Sequence, residues 1–199
     1  MNDYQQASSF INQRLAFMVQ SAEESFLING TGSSQITGIL NTSGIQTVAG
    51  GTNSIDALLK AKAYVEGANG AGFAAPDAFI MNPLDFLSVR LTKDANGQYL
   101  FGGPGTGPYG VGGYSNVGMI WGLPVVTNTA IAQGTALVGA FKQGAMIFRR
   151  QGVVLKTTDS DGSKFLSNIM TVLAESRFAL AVYQPNRFAT ITGLPAVVA

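Results

Sequence analysis

The chain has 199 residues, with twelve lysines and arginines, eleven acids and a net charge of +1; this is enough for one medium domain or two small ones and too balanced to imply electrostatic capture of nucleic acid or an anionic membrane. Cysteine and histidine are both absent, which excludes disulfides, thiolate chemistry, Ser-His-Asp and Cys-His constellations and histidine-based zinc sites. Charged residues are only 12% of the chain, against about 25% in typical soluble domains, so much of the surface is predicted to lie against partners.

Residues 3–28 are predicted to form one long helix. Tyr4, Ala7, Ile11, Leu15, Met18, Ala22 and Phe26 recur at three- and four-residue spacing, and Phe10, Phe17 and Leu27 widen the stripe. Asn29-Gly30 is expected to end it as a C-cap. No apolar run approaches the roughly 20 residues of a membrane helix, and "MNDYQQASSF" lacks the basic and apolar regions of a signal peptide.

Residues 30–53 read as loop with a short extended piece at 45–48. Asn53 or Ser54 is expected to cap a second helix reaching about Glu66. "AFIMN" (78–82) reads as a buried strand. Asn82-Pro83 then opens a third helix, with asparagine as N-cap and proline in the first turn. "MIWGLPVVTN" (119–128) and "TALVGAF" (135–141) read as strands, as does "GVVLKTT" (152–158), which is followed by the turn "DSDG". An extended segment spans 165–183, with Met170, Val172, Ala174, Phe178, Leu180 and Val182 on one face. Pro185 interrupts it, and "RFATIT" makes a last strand.

The candidate chemistry is sparse. Residues 102–113, "GGPGTGPYGVGG", hold seven glycines in twelve positions and contain G-x-G-x-x-G. A dinucleotide fingerprint needs a strand before it, a helix starting within it and an acid about 20 residues on. Here a helix and a turn precede it and no acid occurs between Asp94 and Asp159, so the match reads as a loop. "DSDG" opens like a calcium loop, but Met170 stands where the closing glutamate belongs. Ser115 misses the nucleophile-elbow pattern. Glu23 and Glu24 are adjacent and point about 100° apart on a helix, so they read as a solvated face, not as an acid/base pair. Arg149 and Arg150 are expected on opposite faces of a strand, hence as separate surface or interface ion-pairing groups. No catalytic, cofactor-binding or metal site is expected.

Several long stretches, in order, resemble major capsid proteins of tailed bacteriophages of the Hong Kong 97 type. They are the first helix with "LINGTGSSQITGILN", then "FIMNPLDFLSVRLTKDANGQYLFGGP", "IWGLPVVTNTAIAQGTALVGAF" and "FLSNIMTVLAESRFALAVYQPNRFATITG". N-P before a helix, K-D-x-x-G-x-Y-x-F-G-G-P, W-G-L-P-V-V and the ending with Arg177, Val182, Pro185 and Phe188 carry the likeness together.

The resemblance implies an α+β Hong Kong 97-like fold: a spine helix of the peripheral domain at 1–39, an α/β axial domain at 40–145 and β-rich peripheral strands at 146–199. It implies a non-enzymatic structural subunit of an icosahedral phage or prophage capsid, assembling into pentamers and hexamers around double-stranded DNA. Other capsid subunits, a scaffold, a maturation protease and a portal are the implied partners. The implied location is the virion, with assembly in the host cytoplasm and no membrane. Gly102, Gly103, Gly105, Gly107, Gly110, Gly112 and Gly113 would form a loop near the capsomer axis, where glycine tolerates five- and six-fold surroundings. Asn168 and Glu175 align with the asparagine and glutamate that some members use for an isopeptide crosslink. A seven-residue separation would put them on opposite faces of an unbroken strand, so they could share a site only between chains. The lysine-bearing extended loop and N-terminal arm of the family precede the spine helix and are expected to lie outside this sequence. An encapsulin-type nanocompartment shell is the alternative of the same fold; a nucleotide-binding domain or enzyme is the alternative from another class.

Overall fold

The structure is a computed structural model. It describes all residues except 1, 34, 69–74, 95, 98, 100–117, 159, 161, 163–164, 168 and 196–199, and for 2–7 and 68 the backbone only.

Helix α1 (Asn2–Asn29) has 28 residues and is about 42 Å long at 1.5 Å per residue. Its end differs from a left-handed glycine cap. The Gly30 N–H donates to the Phe26 carbonyl, 3.0 Å, as in a continuing helix. Glycine is required there because the chain folds back on itself: a Cβ on Gly30 would collide with the Ile36 carbonyl. Asn41 Nδ2 then donates to the carbonyls of Asn29 and Gly30, 2.8 and 3.1 Å, so a side chain satisfies helix-end acceptors.

Strand β1 (Gln46–Ala49) leads into α2 (Ser54–Ala63). The Asn53 side chain accepts from the Ile55 N–H, 3.1 Å, as an N-cap. The helix runs on as a π turn, Tyr64–Ala68. Strand β2 (Ala78–Met81) precedes α3 (Pro83–Arg90). The Asn82 cap accepts from the Leu84 N–H, 3.0 Å, and donates through Nδ2 to the Ile131 carbonyl, 2.9 Å.

Residues 119–128, expected as one strand, form a hairpin instead: β3 (Met119–Ile120) and β4 (Leu123–Thr127). Trp121 and Gly122 both have positive φ, 51° and 78°, the two-residue turn whose twist suits adjacent strands. A tryptophan tolerates this because it is held at both ends. Its Nε1 donates to the Ile55 carbonyl, 3.0 Å, and its own carbonyl accepts from Lys62 Nζ, 2.9 Å.

Strand β5 (Thr135–Gly139), the short helix α4 (Phe141–Gly144), β6 (Ala145–Thr158), β7 (Thr171–Val182) and β8 (Phe188–Thr192) complete the chain. β6 starts seven residues earlier than expected, because no turn separates it from α4. The segment expected as extended from 165 begins with a 3-10 turn, Phe165–Ser167, and is strand from Thr171.

Two sheets result. The larger has the order β1-β8-β5-β2-β4-β3, with β1/β8 and β2/β4 parallel and the other pairs antiparallel. The smaller is the antiparallel β6–β7 hairpin. The final strand, grouped by the sequence with that hairpin, pairs instead inside the six-stranded sheet, between β1 and β5. Alternation divides the sheet's faces. Phe79, Met81, Val138 and Ile191 pack under Leu58, Ala61 and Val65 of the α2 region. Leu137 and Phe188 face the other way and cluster with Ile28, Ile39 and Ile131, against Leu180 and Val182 of the hairpin. Gly139 and Gly144 leave the room that the Phe188 ring occupies, and Phe141 meets that ring edge-on at 5.4 Å.

Asp85, in the first turn of α3, is fully buried. One carboxylate oxygen accepts from the Gly134 N–H, 2.8 Å, and the other has no partner among the described residues. Burial pushes its pKa above the ordinary aspartate value, against the Gly134 hydrogen bond. A raised folded-state pKa means stability that is full below the unfolded value and is lost as pH rises through the folded one. Wild type should therefore lose melting temperature relative to Asp85→Asn as pH climbs from about 4. A melting-temperature difference that stays constant across that titration would contradict this.

Candidate functional site

The contact that orients the longest elements is made by a charge. α1 turns Leu15, Ala16, Val19, Glu23 and Leu27 inward. Glu23 is 5% exposed. Arg149 of β6 forks onto it, with Nη2–Oε2 2.7 Å and Nη1–Oε1 3.2 Å. Burial pushes the Glu23 pKa up, but hydrogen bonds from Arg149 and Ser176 and the Arg149 charge outweigh this and hold it below the ordinary value. The expected solvated face is therefore half right. Glu24 is exposed and accepts from Asn128 Nδ2, 3.0 Å; Glu23, one residue away and about 100° around the helix, is buried.

Apolar side chains point the other way. Phe10, Phe17 and Met18 of α1 are 70%, 60% and 55% exposed. On the hairpin Met146, Phe148 and Leu166 are 51%, 48% and 88% exposed. Singly exposed apolar residues are ordinary, but runs of them on neighbouring elements mark a contact surface.

The hairpin departs from regular pairing at two places. Arg149 pairs with Phe178, Gln151 with Arg177 and Val154 with Glu175, so the register shifts between 149 and 151 and again between 151 and 154. These bulges overturn the expectation that Arg149 and Arg150 serve separate surfaces. Strict alternation fails at a bulge, and both line one cleft of about 450 Å³ together with Phe148, Arg177, Phe178 and Ala179. No local sequence signal marks this arrangement, except that Gly152 falls where the register slips.

Glu175 pairs with Lys156 Nζ across the hairpin, 2.6 Å, and with Gln151 Nε2, 3.5 Å. The hydrogen bond and charge of Lys156 hold its pKa below the ordinary value. Asn168, its proposed partner in crosslinking, lies outside the described residues, and β7 begins only at Thr171. The glycines at 102, 103, 105, 107, 110, 112 and 113 also lie outside them. Among the described residues no cluster of acids could hold a metal ion, and no helix is long and apolar enough to cross a membrane. The arrangement offers contact surface and charge.

A family model described as the phage capsid family matches residues 1–193. The chain is 33% identical over 188 residues to the major capsid protein of Enterobacteria phage HK97, covering 94% of this chain and 46% of that protein. It thus spans about half the length of this curated relative. Among solved structures, the capsid of an empty GTA particle computed with C5 symmetry has a TM-score of 0.72 at 20% identity, over 94% of this chain and 66% of that one. The holo-SrpI encapsulin complex from Synechococcus elongatus PCC 7942 has a TM-score of 0.58 at 18% identity, over 91% and 63%. Both are likenesses of fold.

The Glu23–Arg149 pair should respond unequally to loss of its partners. Arg149→Met leaves a buried carboxylate without its cation and should cost about 3 kcal/mol. Glu23→Gln leaves an arginine that water can reach and should cost about 1 kcal/mol. Because the Glu23 pKa is depressed in the fold, its stabilisation is present above the unfolded glutamate value and is lost as pH falls through the folded one. Urea denaturation of wild type and both variants, near neutral pH and in acid, measures this. Equal losses, or a Glu23→Gln penalty that does not shrink in acid, would contradict the account.

Proposed function

The chain belongs to the phage capsid family, and from that premise we propose that it is the shell-forming part of a phage-type capsid subunit. The match along residues 1–193 carries this reading. The proposed assembly is an icosahedral shell of pentamers and hexamers that encloses double-stranded DNA without sequence specificity. Scaffold, maturation protease and portal are its proposed partners, and the host cytoplasm its proposed place of assembly. The six-stranded sheet with α2 and α3 is assigned to the axial domain, including β8. α1 and the β6–β7 hairpin are assigned to the peripheral domain. The seven glycines between 102 and 113 are assigned to the capsomer centre, where identical chains must meet around axes of different order.

Two observations support a structural role. Charge is scarce, at 12% of residues, and large apolar side chains stand exposed on α1, α3 and the hairpin. A shell subunit covers such surface with copies of itself. The encapsulin likeness rests on fold alone, whereas the phage reading also has the sequence match at 33% identity. The Lys156 contact supports a structural ion-pair role for Glu175, and no crosslinking by this chain alone is proposed.

Electron microscopy of the full-length gene product tests the reading. Closed shells built of five- and six-fold capsomers are expected. A product that stays monomeric at high concentration, or shells that enclose a protein cargo when produced in the native host, would overturn it.

A further inference from the structure

We propose that the arginine-lined cleft at the first bulge of β6 is a docking site for a carboxylate side chain on a second copy of this polypeptide. The inference rests on the reading of the chain as a shell subunit, which supplies the second copy.

Three of the twelve cationic residues line this one cleft: Arg149, Arg150 and Arg177. Such a concentration is unfavourable unless anions offset it. Among the described residues only part of the charge is answered. Arg149 is forked onto Glu23. Arg177 acts on Glu175 from a distance, while Glu175 is bonded to Lys156. The Arg150 side chain makes no hydrogen bond or ion pair among the described residues, and it is exposed. The bulge is what brings Arg150 to the same opening as Arg149 and Arg177, and bulges recur where a side chain is re-aimed for a task. Arg149 is held in place by its buried partner Glu23.

Its walls identify the occupant. Phe148, Phe178 and Ala179 line the cleft together with the arginines, and exposed Met146 shares the face of Phe148 on the same strand. Arginine and aromatic residues in an apolar surround are the composition of a protein–protein interface core. A nucleic-acid site would instead continue as a basic stripe along a backbone. About 450 Å³ leaves room for an acidic side chain and the residues beside it. Arginine's planar fork suits a carboxylate, which accepts two parallel hydrogen bonds.

The test uses the full-length protein. Arg150→Glu/Arg177→Glu should raise the concentration needed for assembly by about tenfold or more, in a subunit that circular dichroism shows to be still folded. For Arg150→Lys, a zero-length carbodiimide joins the new amine to whichever carboxylate touches it. In shells assembled from mixed isotopically light and heavy copies, position 150 of one copy should be joined to an aspartate or glutamate peptide of the other. Links confined to one copy, or no links together with unimpaired assembly of the double glutamate variant, would overturn the proposal while leaving the capsid reading intact. If the double variant assembles normally but loses retained DNA, the cleft is a phosphate site and the proposal is wrong. Wild type that forms no shells would instead remove the capsid reading, and this inference with it.

Discussion

A buried carboxylate forked by an arginine holds the two longest elements together. α1 offers Glu23 from its inner face, and the β6–β7 hairpin answers with Arg149. A two-stranded hairpin is marginal alone in water, and a 28-residue helix gains most of its stability from packing. Each therefore depends on the other. An apolar contact alone would leave the helix free to slip by a turn along the strands. A charge pair with bidentate geometry has one low-energy register, because slippage strands a buried ion. The apolar cluster of Ile28, Leu137, Phe188, Leu180 and Val182 then joins this pair of elements to the large sheet.

This arrangement inverts the usual economy of a globular chain. A polar pair occupies the middle of an internal contact, while Phe10, Phe17, Met18, Met146 and Phe148 stand outside. The inversion is intelligible for a member of a capsid family. A pinned helix–hairpin unit presents its apolar faces in a constant geometry, and copies can then meet over them repeatedly. On the proposed shell role the low charge content has the same cause, since like charges across repeated contacts would oppose assembly.

Where structure is set locally, the sequence was a good guide. Asn53 and Asn82-Pro83 cap their helices because capping involves only neighbouring residues. The even-numbered face of β7, Val172 to Val182, follows from two-residue alternation, whereas Met170 precedes the strand and is exposed. Where distant residues decide, it was not. The β3–β4 hairpin was hidden because Trp121, not glycine or asparagine, takes the first left-handed turn position, held by Ile55 and Lys62. The fate of Glu23 depended on an arginine 126 residues away. The membership of β8 in the large sheet depended on pairing with β1, far earlier in the chain. The shared cleft of Arg149, Arg150 and Arg177 depended on a bulge that no local pattern announces. The family, by contrast, was legible in the order of long segments, since that order survives where single motifs do not.

The proposed function makes the outward faces of α1 and the hairpin surfaces between copies. Hydroxyl-radical footprinting of the full-length protein, as free subunits and as assembled particles, measures it side chain by side chain. Phe10, Phe17, Met18, Met146 and Phe148 should oxidise readily in free subunits and be protected in particles. Val138 and Ile191, buried in the six-stranded sheet, should be protected in both. Equal oxidation of the five outward residues before and after assembly would contradict the account.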